Sequence, residues 1–166
     1  MLHIRRMTQG DVAFVNHVQV DCYSPFMQED EATIRARFLL APDTAWVAED
    51  EGGVCAYLVG YRSVVGKVTP LNAVFELPEC PDALYLHDLA VAPRGKGRGI
   101  GKALVQAACD QAVAEGLGYA ALVSVQNSKA FWERLGFAEW ARLHEDQREN
   151  LHTYEGPAYY MVRDLR

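Results

Sequence analysis

The chain has 166 residues, half of them hydrophobic and 23% charged, the balance of an ordinary globular domain long enough to bury a core. Sixteen basic against 22 acidic residues give a net charge of -6, which argues against a nucleic-acid binder and suits encounter with cations such as amines. No basic start leads into an apolar run and no stretch reaches membrane-spanning length, which points to a soluble, cytoplasmic protein with no membrane partner.

Taken in chain order, "LHIRRM" alternates apolar and basic residues and predicts a first strand. Residues 8–23 predict a helix started by Thr8, with an apolar side made of Val12, Val15 and Val18 or of Phe14 and Val18. Ser24-Pro25-Phe26 breaks it, and 29–42 reads as a second helix whose acidic first turn suits the helix dipole. Residues 44–65 read as strand, Gly52-Gly53 turn, strand. Residues 66–82, with Pro70, Pro78 and Pro81, read as a loop or mobile flap.

"ALYLHDLAV", 83–91, is an apolar strand expected at the centre of a sheet. Residues 99–116 predict a helix with Ile100, Ala103, Leu104, Ala107, Ala108 and Val113 on its apolar side and Gly116 at its end. Residues 119–125 form a buried-type strand, and 127–137 a short helix capped by Asn127 and stopped by Gly136. "HEDQREN", 144–150, reads as a solvated loop, and 157–165 as a closing strand. The order is β-α-α-β-β-β-α-β-α-β: a single α/β domain over 1–166, a mixed central sheet flanked by helices, with one crossover from Leu84 to Val125 that should be right-handed.

Cys22, Cys55, Cys80 and Cys109 form no CxxC pair, and no histidine stands at metal-ligand spacing, so reduced, mostly buried thiols and no metal are expected. The chemistry concentrates in "LHDLAVAPRGKGRGIGKALV", 86–105, where Arg94, Lys96, Arg98 and Lys102 place four of the sixteen basic residues among four glycines. The P-loop pattern fails, because Lys96 and Ala103 stand where it needs glycine and a hydroxyl. The dinucleotide pattern GxGxxG fails in every register, at Ile100 or at Lys102. What survives is physical: glycines let backbone N–H groups approach a ligand, and the helix that follows adds its positive end, so the turn suits phosphate better than a merely solvated basic loop would.

"LAVAPRGKGRGIGKAL" resembles the core motif of the GNAT superfamily of acyl-CoA-dependent N-acyltransferases, Gln/Arg-x-x-Gly-x-Gly/Ala between the fourth strand and the next helix. "FWERLGF" resembles their second motif, and the element order matches the family fold along the chain. Two registers fit: Arg94 to Gly99, or Lys96-Gly97-Arg98-Gly99-Ile100-Gly101, preferred because it puts Gly99 and Gly101 on the first helical turn. The resemblance implies a GNAT-like fold with splayed fourth and fifth strands. It also implies acetyl-CoA as co-substrate, its pyrophosphate on the amides of Lys96, Gly97, Arg98, Gly99, Ile100, Gly101 and Lys102, and its pantetheine arm along Leu89, Ala90 and Val91. A backbone N–H within Leu89–Val91 would serve the oxyanion.

Attack by an amine on a thioester also needs a base. His87 is the candidate, on the strand where polyamine acetyltransferases of the family carry a glutamate; a half-buried, hydrogen-bonded strand histidine is the equal alternative. Asp88 points to the other sheet face and either binds a substrate ammonium or anchors local structure. The family's usual acid is a tyrosine, and Trp132 stands there instead; thiolate leaves tolerably without help. Tyr159 or Tyr160 are substitutes if they are not core. Val125 replaces a common asparagine, for which Asn127 could compensate. Trp46, Tyr57 and Tyr61 read as sheet packing before substrate box, while Tyr23, Phe26 and Glu29 are candidate acceptor contacts.

The expected activity is N-acetyl transfer to a primary amine of a small molecule, by a monomer or homodimer. A protein N-terminus or lysine is the alternative acceptor. A non-catalytic acyl-CoA-binding or sensing module is the alternative class, kept open by Trp132.

Overall fold

The computed structural model describes residues 1–71 and 73–166. Strands β1 (His3–Arg6), β2 (Ala45–Asp50), β3 (Gly53–Ser63), β4 (Ala83–Val91), β5 (Tyr119–Ser124), β6 (Ala138–Glu139) and β7 (Tyr159–Asp164) form one sheet in the order β1-β2-β3-β4-β5-β7-β6. Helices α1 (Val12–Cys22), α2 (Glu31–Leu40), α3 (Ile100–Ala114), α4 (Lys129–Arg134) and α5 (Glu145–Leu151) complete it. The sheet is mixed. β4 and β5 run parallel from Ala83↔Tyr119 to Leu86↔Leu122, and the strands splay beyond that ladder while β4 continues to Val91. The β1–β2, β2–β3, β5–β7 and β6–β7 ladders are antiparallel.

The chain divides into two compact units, Met1–Gly60 with Asp88–Ala108 and Tyr61–His87 with Cys109–Arg166. In the first, Val12, Val15 and Val18 are the buried side of α1 while Phe14 is exposed, so the first of the two predicted stripes is the real one. Asp30 caps α2, its Oδ1 accepting the Thr33 N–H at 2.7 Å. Glu29 just before it is buried against Arg37, a closed ion pair whose ends are 5% and 2% exposed. β2 and β3 pair from Ala45↔Val59 to Asp50↔Gly53, with an irregularity at Ala48/Glu49, and Gly53 has a φ of +98° that the hairpin turn requires.

In the second unit, Leu84, Leu86, Ala120, Leu122 and Met161 are buried on paired strands. Two elements here escaped the sequence. β6 is two residues long, and 145–151 is a helix, not a solvated loop. α5 buries no side chain, so it has no apolar stripe to betray it; polar contacts seat it instead. Gln147 accepts the Val68 N–H at 2.7 Å and Asn150 donates to the Val68 carbonyl at 3.0 Å. Nearby, Tyr154 donates to the Thr69 carbonyl at 2.7 Å and Thr153 accepts the Leu71 N–H at 2.9 Å. The segment expected as a mobile flap is therefore pinned along 66–71, with Val68, Thr69 and Phe75 buried.

Two smaller corrections concern helix ends and thiols. α3 buries Ile100, Leu104, Val105, Ala108, Cys109 and Ala112, whereas Val113 is exposed. Ser128 is the N-cap of α4, and Asn127 lies before it with Gln126 in the left-handed region, at φ of +59° and +53°. Only Cys55 and Cys109 are buried; Cys22 is half-buried and Cys80 exposed, and all four are free. No described helix is long and apolar enough to cross a membrane.

Candidate functional site

β4 delivers the chain to the glycine turn. Pro93–Gly95 makes one 3-10 turn, and α3 starts at Ile100. Gly97 and Gly99 have φ of +78° and +71°, and a Cβ on either would meet nothing within 4 Å. Backbone sign, with an open side facing each glycine, is what keeps other residues out. The N–H groups of Gly95, Lys96 and Ala103 bond to the carbonyls of Ala92, Pro93 and Gly99. Among the described residues, those of Gly97, Arg98, Gly99, Ile100, Gly101 and Lys102 have no protein acceptor. Uncommitted amides at the positive end of a fifteen-residue helix form an anion-binding arrangement.

The four cations of the turn divide by role. Lys96 and Lys102 are exposed. Arg94 and Arg98 both reach back to Asp50 at the tip of the β2–β3 hairpin, at 2.6 and 2.9 Å. These guanidinium bonds, Arg98 first, hold the Asp50 carboxyl far below the usual carboxylate range. Sequence reading missed Asp50. The one signal was an acid-rich hairpin tip, "EDEGG", in a chain carrying a clustered basic turn.

Asp88 stands in the same unit with two phenols on its carboxylate: Tyr23 donates to Oδ1 at 2.7 Å and Tyr57 to Oδ2 at 2.6 Å. Burial first, then the Asp88 charge, pushes both tyrosines well above their ordinary range, so they stay protonated donors. Tyr57 is thus neither plain sheet packing nor a substrate box. The Tyr23 oxygen also lies 3.0 Å from the Leu89 carbonyl, and the Cys22 thiol lies 3.2 Å from that of Val91. Two carbonyls expected to serve a pantetheine arm thus each have a neighbour on the α1 side, with a second lone pair left over. Ala90 between them is buried.

In the other unit, His87 is half-buried, with the Phe75 ring edge-on at 5.2 Å and the Tyr85 ring at 6.3 Å. Tyr61 continues the cluster, stacked on Phe75 at 4.0 Å and tilted against Tyr85 at 5.0 Å. Trp132 is buried edge-to-face between Phe131 and Phe137, so the position of the usual acid is core. Tyr160 is also core, its hydroxyl accepting the Gly66 N–H at 2.9 Å. Tyr159 carries the Lys129 ammonium over its ring at 4.4 Å. Of the three acceptor candidates, Tyr23 joins Asp88, Phe26 is 77% exposed, and Glu29 is consumed by Arg37.

Comparison with known proteins gives the fold and the family. The Acetyltransferase (GNAT) family model matches residues 12–137. A curated relative, L-2,4-diaminobutyric acid acetyltransferase of Nocardia farcinica (strain IFM 10152), is 32% identical over 76 residues, 46% of this chain and 32% of its own length. The chain thus spans about a third of that relative. Two solved structures share the fold at low identity. One is the GphF GNAT-like decarboxylase in complex with isobutyryl-CoA, at 16% identity and TM-score 0.83, covering 99% of this chain and 100% of that one. The other is the ribosomal-protein-S18-alanine N-acetyltransferase from Escherichia coli, at 16% and 0.71, covering 99% and 94%. With three quarters of its length inside the family model and both motifs on the elements that carry them, the chain belongs to the acetyltransferase (GNAT) family.

Proposed function

We propose that this chain is an N-acetyltransferase that moves an acetyl group from acetyl-CoA to a primary amine of a small molecule. One observation carries the assignment: the open row of amides from Gly97 to Lys102, with no protein acceptor among the described residues, at the start of α3. A diphosphate supplies the acceptors those donors lack. The start of α3 at Ile100 favours the register Lys96 to Gly101, and Arg94 is occupied by the hairpin, which supports the same choice. The curated relative's name is that of an enzyme for a small diamino acid, and the net charge of -6 suits a cationic acceptor.

Each residue then has a task. Asp88, its carboxylate fixed by Tyr23 and Tyr57 on the sheet face opposite His87, anchors β4 there. His87 takes the proton that frees the amine lone pair. A backbone N–H within Leu89–Val91 donates to the carbonyl oxygen as the nitrogen–carbon bond forms and the carbon–sulfur bond breaks. The sulfur leaves as thiolate, since a thiol near pKa 8.5 needs little help at neutral pH and Trp132 has no proton to give. Asn127, in its left-handed conformation after β5, remains in the cofactor-contact set.

Trp132 favours a second reading, a non-catalytic acyl-CoA binder. Free thiol appearing from acetyl-CoA in the presence of a panel of amines, diamines and amino-terminal peptides decides between them. Release with small amines is the expected result. Release only with peptides would move the acceptor to protein amines, and saturable binding without release would leave the binder.

A further inference from the structure

Asp50 has no part in the bond-forming step assigned above, yet its carboxylate is the hub of the basic turn. Its side chain is 7% exposed and takes three donors: Arg94 Nη1 at 2.6 Å and the Gly52 N–H at 2.9 Å on Oδ1, and Arg98 Nη1 at 2.9 Å on Oδ2. The two arginines are held differently. Arg94 spends its other nitrogen on the hairpin carbonyls of Gly53 and Val54, at 3.0 and 3.4 Å. A Cβ on Gly52 would come 2.7 Å from Arg94 Nη1, so the guanidinium packs directly over the hairpin backbone. Arg94 is therefore a peg that joins hairpin to turn.

Arg98 is tethered by Nη1 alone. Among the described residues its Nε and Nη2 have no acceptor, and its side chain is 39% exposed. It sits between Gly97 and Gly99, the two left-handed residues whose amides are also uncommitted. A guanidinium has five donors in a planar fork, so one nitrogen can stay on Asp50 while the remaining edge meets a phosphate oxygen.

We infer, resting on the acetyl-CoA assignment above, that Asp50 is a positioning residue for the cofactor diphosphate: it presents Arg98, ready oriented, beside the open amides. A long flexible cation free in water must lose side-chain entropy when it binds; one already tethered loses less. Asp50 thus acts through Arg98 and touches no substrate itself.

The test is a double-mutant cycle on Asp50→Asn, Arg98→Ala and the pair, read by steady-state kinetics in acetyl-CoA at several salt concentrations. Each single substitution should raise the KM for acetyl-CoA about tenfold, the worth of one charge-assisted hydrogen bond, with kcat little changed. The double variant should be no worse than Arg98→Ala, because Asp50 works through that side chain. Both singles should also flatten the salt dependence of KM. Asp50→Glu, which keeps the charge, should recover part of the loss. A merely structural Asp50 would lower thermal stability and leave KM and its salt slope alone, and that result overturns the inference. Tighter cofactor binding by Asp50→Asn overturns it too, since Asp50 would then be competing for Arg98. Additive losses in the double variant would do the same. Arg98→Ala truncates a 39% exposed side chain, so an unchanged KM in that variant, with circular dichroism matching the wild type, is decisive if Asp50→Asn does not fold. Wild-type protein with no affinity for acetyl-CoA would remove the functional assignment as well, a result distinct from every one above.

Discussion

His87 and Asp88 are neighbours in sequence with opposite surroundings: rings of Phe75 and Tyr85 around the imidazole, hydroxyls of Tyr23 and Tyr57 on the carboxylate. Alternation along β4 gives each side chain its own sheet face, so one strand can offer a base on one side and an anion on the other. Two phenol donors tie up the Asp88 carboxylate. In the proposed mechanism the imidazole is the base. His87→Ala should therefore lower kcat by about a hundredfold, within the usual range for a lost general base, and remove the limb of the kcat profile that a general base produces. A pH profile that keeps that limb in the variant assigns the proton to another group. At this scale the sequence was only partly readable. Residue types on β4 exposed His87 and Asp88, but Tyr23 lies 65 positions from Asp88 and Asp50 lies 48 from Arg98, and no local pattern encodes those pairings. Asn127 was misread for a different reason: asparagine is favoured both at N-caps and in left-handed backbone, and here Ser128 took the cap.

Among the elements, those built on apolar periodicity stand where the sequence put them. β4 runs over 83–91 as a nine-residue apolar strand between Pro81 and Pro93, and β5 and α3 follow within a residue or two. α5 and β6 were lost because neither carries an apolar stripe: one is held by amide side chains, the other is too short to show alternation. The segment that α5 grips is tied to β7 as well, through the Tyr160 hydroxyl on Gly66. Burial pushes the Tyr160 phenol from its ordinary 10.0 up to about 12. The sign follows from linkage. Below pH 10 the phenol is protonated whether the chain is folded or not, and its contribution is fully present. Between pH 10 and about 12 only the unfolded chain loses the proton, so stability falls as pH rises. Tyr23, Tyr57 and Tyr85 are shifted in the same direction. Tyr160→Phe should cost about 1 kcal/mol at neutral pH by stranding the Gly66 N–H, and should make the alkaline loss of stability shallower. Denaturant titrations across that pH window check both; an unchanged slope would mean that Tyr160 titrates alike in the two states.

For the molecule as a whole, element order and two motifs were enough to reach the family, and the family model covers residues 12–137. The acceptor is not written in either motif, because the residues that would meet it come from segments whose roles depend on packing. Glu29 is the clearest case, a candidate contact by position that is spent on a buried ion pair with Arg37. The proposed cofactor end depends less on packing, since backbone donors on a glycine turn make the same interaction whatever the acceptor. That end is where the whole account can be tested at once, by calorimetric titration of acetyl-CoA into the wild-type protein and into Gly99→Asp. The substitution has open space for its side chain, and aspartate is among the residues that tolerate a φ of +71°, so the fold should survive while a carboxylate occupies the anion's place. Saturable binding by the wild type and none by the variant, with matching circular dichroism, is the predicted result. Equal affinity in the two proteins would mean that the amides at the start of α3 do not hold the diphosphate.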